Sequence, residues 1–143
     1  VPRADYYILA SSDHDSRELL ACKLCEKALS LGQRIHIHTE NESDLHQLDQ
    51  TLWNFRSDSF VPHAILGTDV KSPVSIACGE LPSEPIDLFI NLGLTAPEGC
   101  ELASRCIEIV TQSEVVLTAT RHSWAMRKAA GWELQRQDLR DRS

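Results

Sequence analysis

The chain has 143 residues, 42% hydrophobic and 24% charged, with 14 Lys/Arg against 21 Asp/Glu and a formal charge of −7. That length suits one core and not two, the apolar fraction is too high for a disordered chain, and no apolar run approaches the roughly 20 residues that span a bilayer. Net acidity repels phosphate backbones, so a broad basic surface for nucleic acid is excluded.

In chain order, residues 6–10 (Tyr-Tyr-Ile-Leu-Ala) read as a short buried strand, followed by polar residues 11–15 and an amphipathic helix over about 16–31. Leu20, Leu24, Ala28 and Leu31 fall on one helical stripe, and Gly32 ends the helix. Residues 34–38 alternate with period two, with Ile35 and Ile37 on one face and His36 and His38 on the other, which completes a β-α-β unit. Asn41, Ser43 and Asp44 open a second helix carrying Leu45, Leu48, Leu52 and Trp53, which ends before Ser57. Residues 58–67 read as a loop, because Pro62 interrupts any regular ladder. Strands are expected over 74–77, 86–92 and 106–110, a last helix over 113–130 with Gly131 at its C-terminal cap, and a further strand over 132–135. This alternation predicts one α/β domain over 1–143, a mostly parallel β-sheet flanked by helices, Rossmann-like or P-loop-like, with residues 1–4 and 136–143 frayed.

Such folds often hold a nucleotide, but the segment after the first strand, Ser11-Ser12-Asp13-His14-Asp15, has neither Gly nor Lys and places two carboxylates where a phosphate needs N–H groups and positive charge. Five cysteines, 22, 25, 78, 100 and 106, form an odd set without a signal peptide, which fits free thiols in a reducing cytoplasm. Cys22 and Cys25 lie mid-helix, away from the helix N-terminus that would activate a redox pair, and no second Cys pair completes a zinc site with His36 and His38. No serine-hydrolase, zincin or paired-carboxylate pattern is present. No catalytic residue, cofactor or metal is therefore expected. The competing reading is a nucleotide-binding or hydrolytic α/β enzyme whose site escapes these patterns.

Charge is uneven along the chain: residues 1–117 carry eight Lys/Arg against 18 Asp/Glu, or −10, and residues 118–143 carry six against three, or +3. A basic end on an acidic body either attracts an acidic partner or is a solvated surface. On a helical wheel of residues 115–130, Val115, Ala119, Met126 and Ala130 cluster on the expected core face, and Leu117, Arg121, Trp124 and Lys128 on the opposite one. A Trp between two cations that faces away from the core has two readings. It packs under a neighbouring loop with Arg121 as a lid, or it binds a short peptide with an apolar anchor and negative charge.

Three stretches then carry a family resemblance: Leu48-Asp49-x-x-Leu52-Trp53, Ser59-Phe60-Val61-Pro62-His63, and Arg121-x-x-Trp124-x-x-x-Lys128-x-Ala130-Gly131-Trp132. Their order and spacing, with the β-α-β beginning and the total length, resemble the chi subunit of the bacterial DNA polymerase III holoenzyme over essentially the whole chain. The resemblance implies a non-catalytic adaptor of the clamp-loader assembly in the cytoplasm that meets DNA only indirectly. One surface would bind the psi subunit, and another the acidic C-terminal tail of single-stranded DNA-binding protein, which ends in a hydrophobic residue with a free carboxylate.

By the same resemblance, Val110, Arg121, Trp124 and Lys128 are the expected tail-binding residues. Trp124 stands at an aromatic position that is often Tyr, and Lys128 at a position that is commonly Arg; Lys cannot fork onto a carboxylate as Arg does. The position one turn before Arg121, Lys in some members, is Leu117 here. The psi-binding surface carries over onto Trp53, Phe60, Val61 and Pro62, with plain core as the other reading of Trp53.

Overall fold

The structure is a computed structural model and describes residues 1–56, 58, 61–68 and 70–141. In chain order it contains β1 (Arg3–Ile8), α1 (His14–Ser30), β2 (Ile35–His38), α2 (Glu42–Asn54), β3 (His63–Ile65), β4 (Val74–Ala77), β5 (Leu88–Asn91), β6 (Arg105–Val110), α3 (Glu114–Ala129) and β7 (Glu133–Asp138). A single 3₁₀ turn at Cys100–Leu102 precedes β6. The strands form one seven-stranded sheet in the order β3-β4-β2-β5-β6-β1-β7, and every neighbouring pair is parallel. The α/β domain expected from the sequence is thus present, with its sheet wholly parallel.

Helices α1 and α2 cover one face, where Ala21, Cys25, Ile37, Leu48, Leu52, Ile76 and Ile90 form the larger core. Helix α3 covers the other, over a smaller core that includes Tyr6, Phe89, Cys106 and Val110. Period-two alternation in β2 sends Ile35 and Ile37 to the first core, as expected, and stacks His36 on Phe89 of the second, with ring centroids 6.1 Å apart. Asn41 caps α2, its side-chain oxygen accepting the Asp44 N–H at 2.8 Å. Gly32 and Gly131 both adopt positive φ (72° and 85°) just beyond α1 and α3, the left-handed geometry that closes a helix.

Four expectations need correction. Residues 63–65, read as loop, form β3, because Pro62 falls one residue before the strand and its missing N–H removes no ladder bond. Of the stripe expected on α1, Ala28 is buried and Leu20 and Leu24 pack half-buried against the core, but Leu31 is exposed, and the fully buried face also carries Arg17, Glu18, Ala21, Cys22 and Cys25. Where fraying was expected, β1 begins at Arg3 and β7 runs to Asp138, the two held together in parallel register from Arg3↔Glu133 to Ile8↔Asp138. The fourth correction, the orientation of α3, determines the candidate site.

Candidate functional site

Helix α3 presents to the sheet the face opposite to the one expected. Val115 and Met126, expected in the core, are each 60% exposed, whereas Val116, Leu117 and Trp124 pack onto the sheet. Polar contacts add to this packing. Ser123 Oγ and the Tyr6 hydroxyl share a 2.6 Å hydrogen bond. Arg127 is buried and donates to Glu108 Oε2 at 2.9 Å and to the Tyr6 hydroxyl at 3.2 Å, with its guanidinium 4.6 Å from the Trp132 ring centroid. Glu108 also accepts from Asn91 Nδ2 at 2.9 Å. Burial pushes the Glu108 carboxyl above the usual carboxylate range, although Arg127 and Asn91 oppose the shift. A wheel that ranks residues by hydrophobicity cannot anticipate that Ser and Arg face inward when each meets a buried partner.

This rotation places Trp124 edge-on against Tyr6, with centroids 5.0 Å apart and planes at 69°, and leaves its outer side at the wall of a groove. The groove encloses about 420 Å³ and runs between α3 and β7. Its floor is Tyr6 and Ile8 of β1 with Val110 of β6; its near wall is Leu117, Thr120, Arg121 and Trp124; its far rim is Arg136 and Arg140. The strand period explains the far rim. Tyr6 pairs with Arg136, so both project to the α3 side, as do Leu134 and Asp138, paired with Ala4 and Ile8. Arg121 makes no ion pair among the described residues, and neither does Arg136. An apolar floor between guanidinium groups can take an apolar side chain and a carboxylate at once.

Of the expected tail-binding residues, Val110, Arg121 and Trp124 come together in this groove, while Lys128 lies one helical turn beyond Trp124 and does not line it. Trp124 is half-buried and does not point away from the core. Arg136 and Arg140 are not legible as site residues in a polar tail whose composition predicts fraying; a strand at 132–135 extended by three residues carries Arg136 on the groove side.

The other expected surface lies at the opposite edge of the sheet. Trp53, at the end of α2, is 49% exposed and packs on the His63 ring, centroids 4.8 Å apart, so it is not plain core. His63 is pinned between Asp49 Oδ1 at 2.9 Å and the Val61 carbonyl at 2.7 Å. Pro62 is half-buried. Val61, expected on the docking surface, is 1% exposed and packs in the larger core, so its side chain is unavailable to a partner. Phe60 lies outside the described residues.

Open α/β sheets bind ligands beyond the carboxyl ends of their strands. Here that crevice encloses about 240 Å³ and is lined by Ser12, His14, Arg17, Glu40 and Asp44, among others. Arg17 is buried there and donates to the carbonyls of Ile109, Leu92 and Gly93 at 2.9, 3.1 and 3.2 Å. Its donors therefore face strand ends, and two carboxylates stand where a phosphate would require positive charge. The five cysteines are free; burial pushes the Cys22 thiol up to about 12 and raises Cys25 as well, which makes both unreactive. Among the described residues no cluster of three or more His, Cys, Asp or Glu could hold a metal ion, and no helix is long and apolar enough to cross a membrane.

Fold and groove together define an α/β domain that offers a peptide-sized cationic surface with an apolar floor. A family model described as "DNA polymerase III chi subunit, HolC" matches residues 1–135. The chain is 35% identical over 133 residues to the DNA polymerase III subunit chi of Pseudomonas aeruginosa, covering 93% of this chain and 94% of the relative. It is 27% identical over 139 residues to that of Haemophilus influenzae, covering 95% and 96%, and 26% identical over 120 residues to that of Escherichia coli, covering 82% of each. The chain belongs to the DNA polymerase III chi subunit family. It is accordingly a replication accessory subunit, not a catalyst.

Proposed function

We propose that this chain is an adaptor of the clamp-loader assembly at the bacterial replication fork, in the cytoplasm, that binds the acidic C-terminal tail of single-stranded DNA-binding protein in the groove between α3 and β7. The observation that carries this reading is the convergence of Arg121, Arg136 and Arg140 around the apolar floor of Tyr6, Ile8 and Val110. Such a tail ends in an apolar side chain and a free carboxylate. The side chain would lie on the floor, where full burial of a large apolar group contributes about 1.5–3 kcal/mol, and the carboxylate would meet Arg121. The net charge of −7 disfavours phosphate backbones, so DNA would be reached through the bound protein.

A psi-type subunit is assigned to the surface around Trp53 and Pro62, with Phe60, named by the family resemblance, close by in sequence. What supports this is the exposed Trp53 ring beside a rigidly held His63, since aromatic anchors of this kind dominate protein interfaces. The two surfaces lie at opposite edges of the sheet, six strand spacings or about 29 Å apart, and on opposite faces, so both partners can be held together.

The test is a fluorescence titration with an acidic peptide ending in Phe, beside its C-terminally amidated form. Micromolar affinity, lost on amidation and weakened by salt, is the expected result. Equal binding of the two forms rejects the carboxylate assignment. Trp53→Ala should abolish co-purification with the psi-type subunit while tail binding persists; loss of both would mean the fold had been damaged.

A further inference from the structure

We infer that Arg136 and Arg140 form a second cationic station in the groove, which reads acidic side chains upstream of the ligand's terminal carboxylate, and that Asp138 is an internal competitor for Arg140. This rests on the tail-binding reading above and says which tails the groove prefers.

Arg121 stands on α3, whereas Arg136 and Arg140 rise from β7 and the turn after it, across the apolar floor. A ligand whose terminal carboxylate is anchored at Arg121 on the α3 wall then presents the residues that precede it to the far pair. Two guanidinium groups there favour successive carboxylates. The matched family stretch ends at residue 135, so this station belongs to the segment just beyond it.

Asp138 sets how readily the station can be used. It shares the α3 side of β7 with Arg136, and the Arg140 guanidinium grips it with Nε at 2.9 Å and Nη2 at 2.6 Å. The Arg140 backbone N–H donates to the same carboxylate at 3.1 Å. These contacts hold the Asp138 carboxyl down at about 2, so it remains ionised across the neutral range. Asp138 thus occupies, within the chain, the position an acidic ligand side chain would take. The pair is exposed, and exposed pairs are weak enough for a ligand to exchange.

The experiment uses two synthetic peptides with a free C-terminal Phe, one carrying three Asp residues before its apolar end and the other three Asn, titrated against the full chain at low and high salt. Wild type should prefer the Asp peptide by about tenfold at low salt, with the preference fading at high salt. The double variant Arg136→Ala/Arg140→Ala should lose most of that preference, weakening the Asp peptide far more than the Asn peptide, while a circular dichroism spectrum and urea midpoint like those of wild type show that it is folded. Asp138→Asn should tighten the Asp peptide about two- to fivefold and leave the Asn peptide unchanged. A double variant that keeps the full wild-type preference overturns the station, and an unchanged Asp138→Asn overturns the competitor. If wild type binds neither peptide, the tail-binding reading itself fails, an outcome distinct from equal binding of both peptides, which rejects the second station alone.

Discussion

Beneath α1 and α2 the sheet meets its helices through Ile37, Leu48, Leu52, Ile76 and Ile90, all apolar and fully buried. Beneath α3 it meets them through Tyr6, Glu108, Ser123 and Arg127, joined by directed polar contacts. The first arrangement stabilises without much directional preference, since area removed from water is what counts. The second adds direction to the packing of Val116, Leu117 and Trp124: any other rotation of α3 would break the Arg127–Glu108 pair and leave two buried charges alone. The face that carries the candidate groove is held by geometry, while the opposite face supplies bulk stability. Sites that must present particular side chains are where such departures from simple patterning are expected.

The largest effect should come from breaking the polar face. Glu108→Ala leaves Arg127 buried without its partner and should cost about 3–5 kcal/mol in urea unfolding, with tail binding lost at the concentrations where wild type binds. Replacing both partners together, Glu108→Leu with Arg127→Met, should recover much of that stability but not the binding, because α3 would no longer be held in its rotation. If the double variant binds the tail like wild type, the pair does not orient the helix. On the apolar face, Leu48→Ala should cost about 2–5 kcal/mol, and the remaining folded protein should bind the tail unchanged.

Acid sharpens the same contrast. His36, on the α3 side of the sheet, accepts or donates one hydrogen bond with Ser75 at 2.7 Å, and burial pushes its pKa down to about 4 despite a backbone contact at Glu80 that raises it. Because the folded pKa is depressed, the unfolded chain takes up the proton first. Stability should therefore fall as pH drops from about 6.5 to about 4, by about 3 kcal/mol in all, and level off below. Urea unfolding series at pH 7 and pH 4.5 check this, and His36→Gln should flatten the difference.

The smallest effects concern the groove surface. Arg121→Ala and Trp124→Ala should each weaken tail binding by about 1–3 kcal/mol. They should differ in stability: Arg121→Ala leaves the unfolding midpoint unchanged, whereas Trp124→Ala also forfeits the edge-to-face contact with Tyr6, about 0.5–1.5 kcal/mol beyond its buried area. Equal midpoints for the two variants would mean that Trp124 is not seated on Tyr6.

Legibility in the sequence divides along the same line. The α1/α2 side follows hydrophobic period and turn chemistry, so β2, α2 and β4 can be placed closely from Ile35, Ile37, Leu45, Leu48 and Val74 to Ala77. The α3 side does not, because Glu108 and Arg127 lie 19 residues apart and only tertiary contact makes their burial favourable. Arg121, Trp124 and Val110 are accessible through family resemblance; Lys128 shares the helical stripe of Arg121 and Trp124, but the groove ends one turn short of it. The station at Arg136 and Arg140 depended on β7 continuing past residue 135, and four of its last five residues are polar, a composition that reads as coil unless an edge position beside β1 is known.

That edge position has a temporal consequence. The groove takes its floor from residues 6 and 8 and its far rim from residues 136 and 140, brought side by side because β1 pairs directly with β7. A chain in which β7 has not yet joined β1 has the floor and one wall but no rim, so the groove is complete only once these two strands, far apart in sequence, have paired.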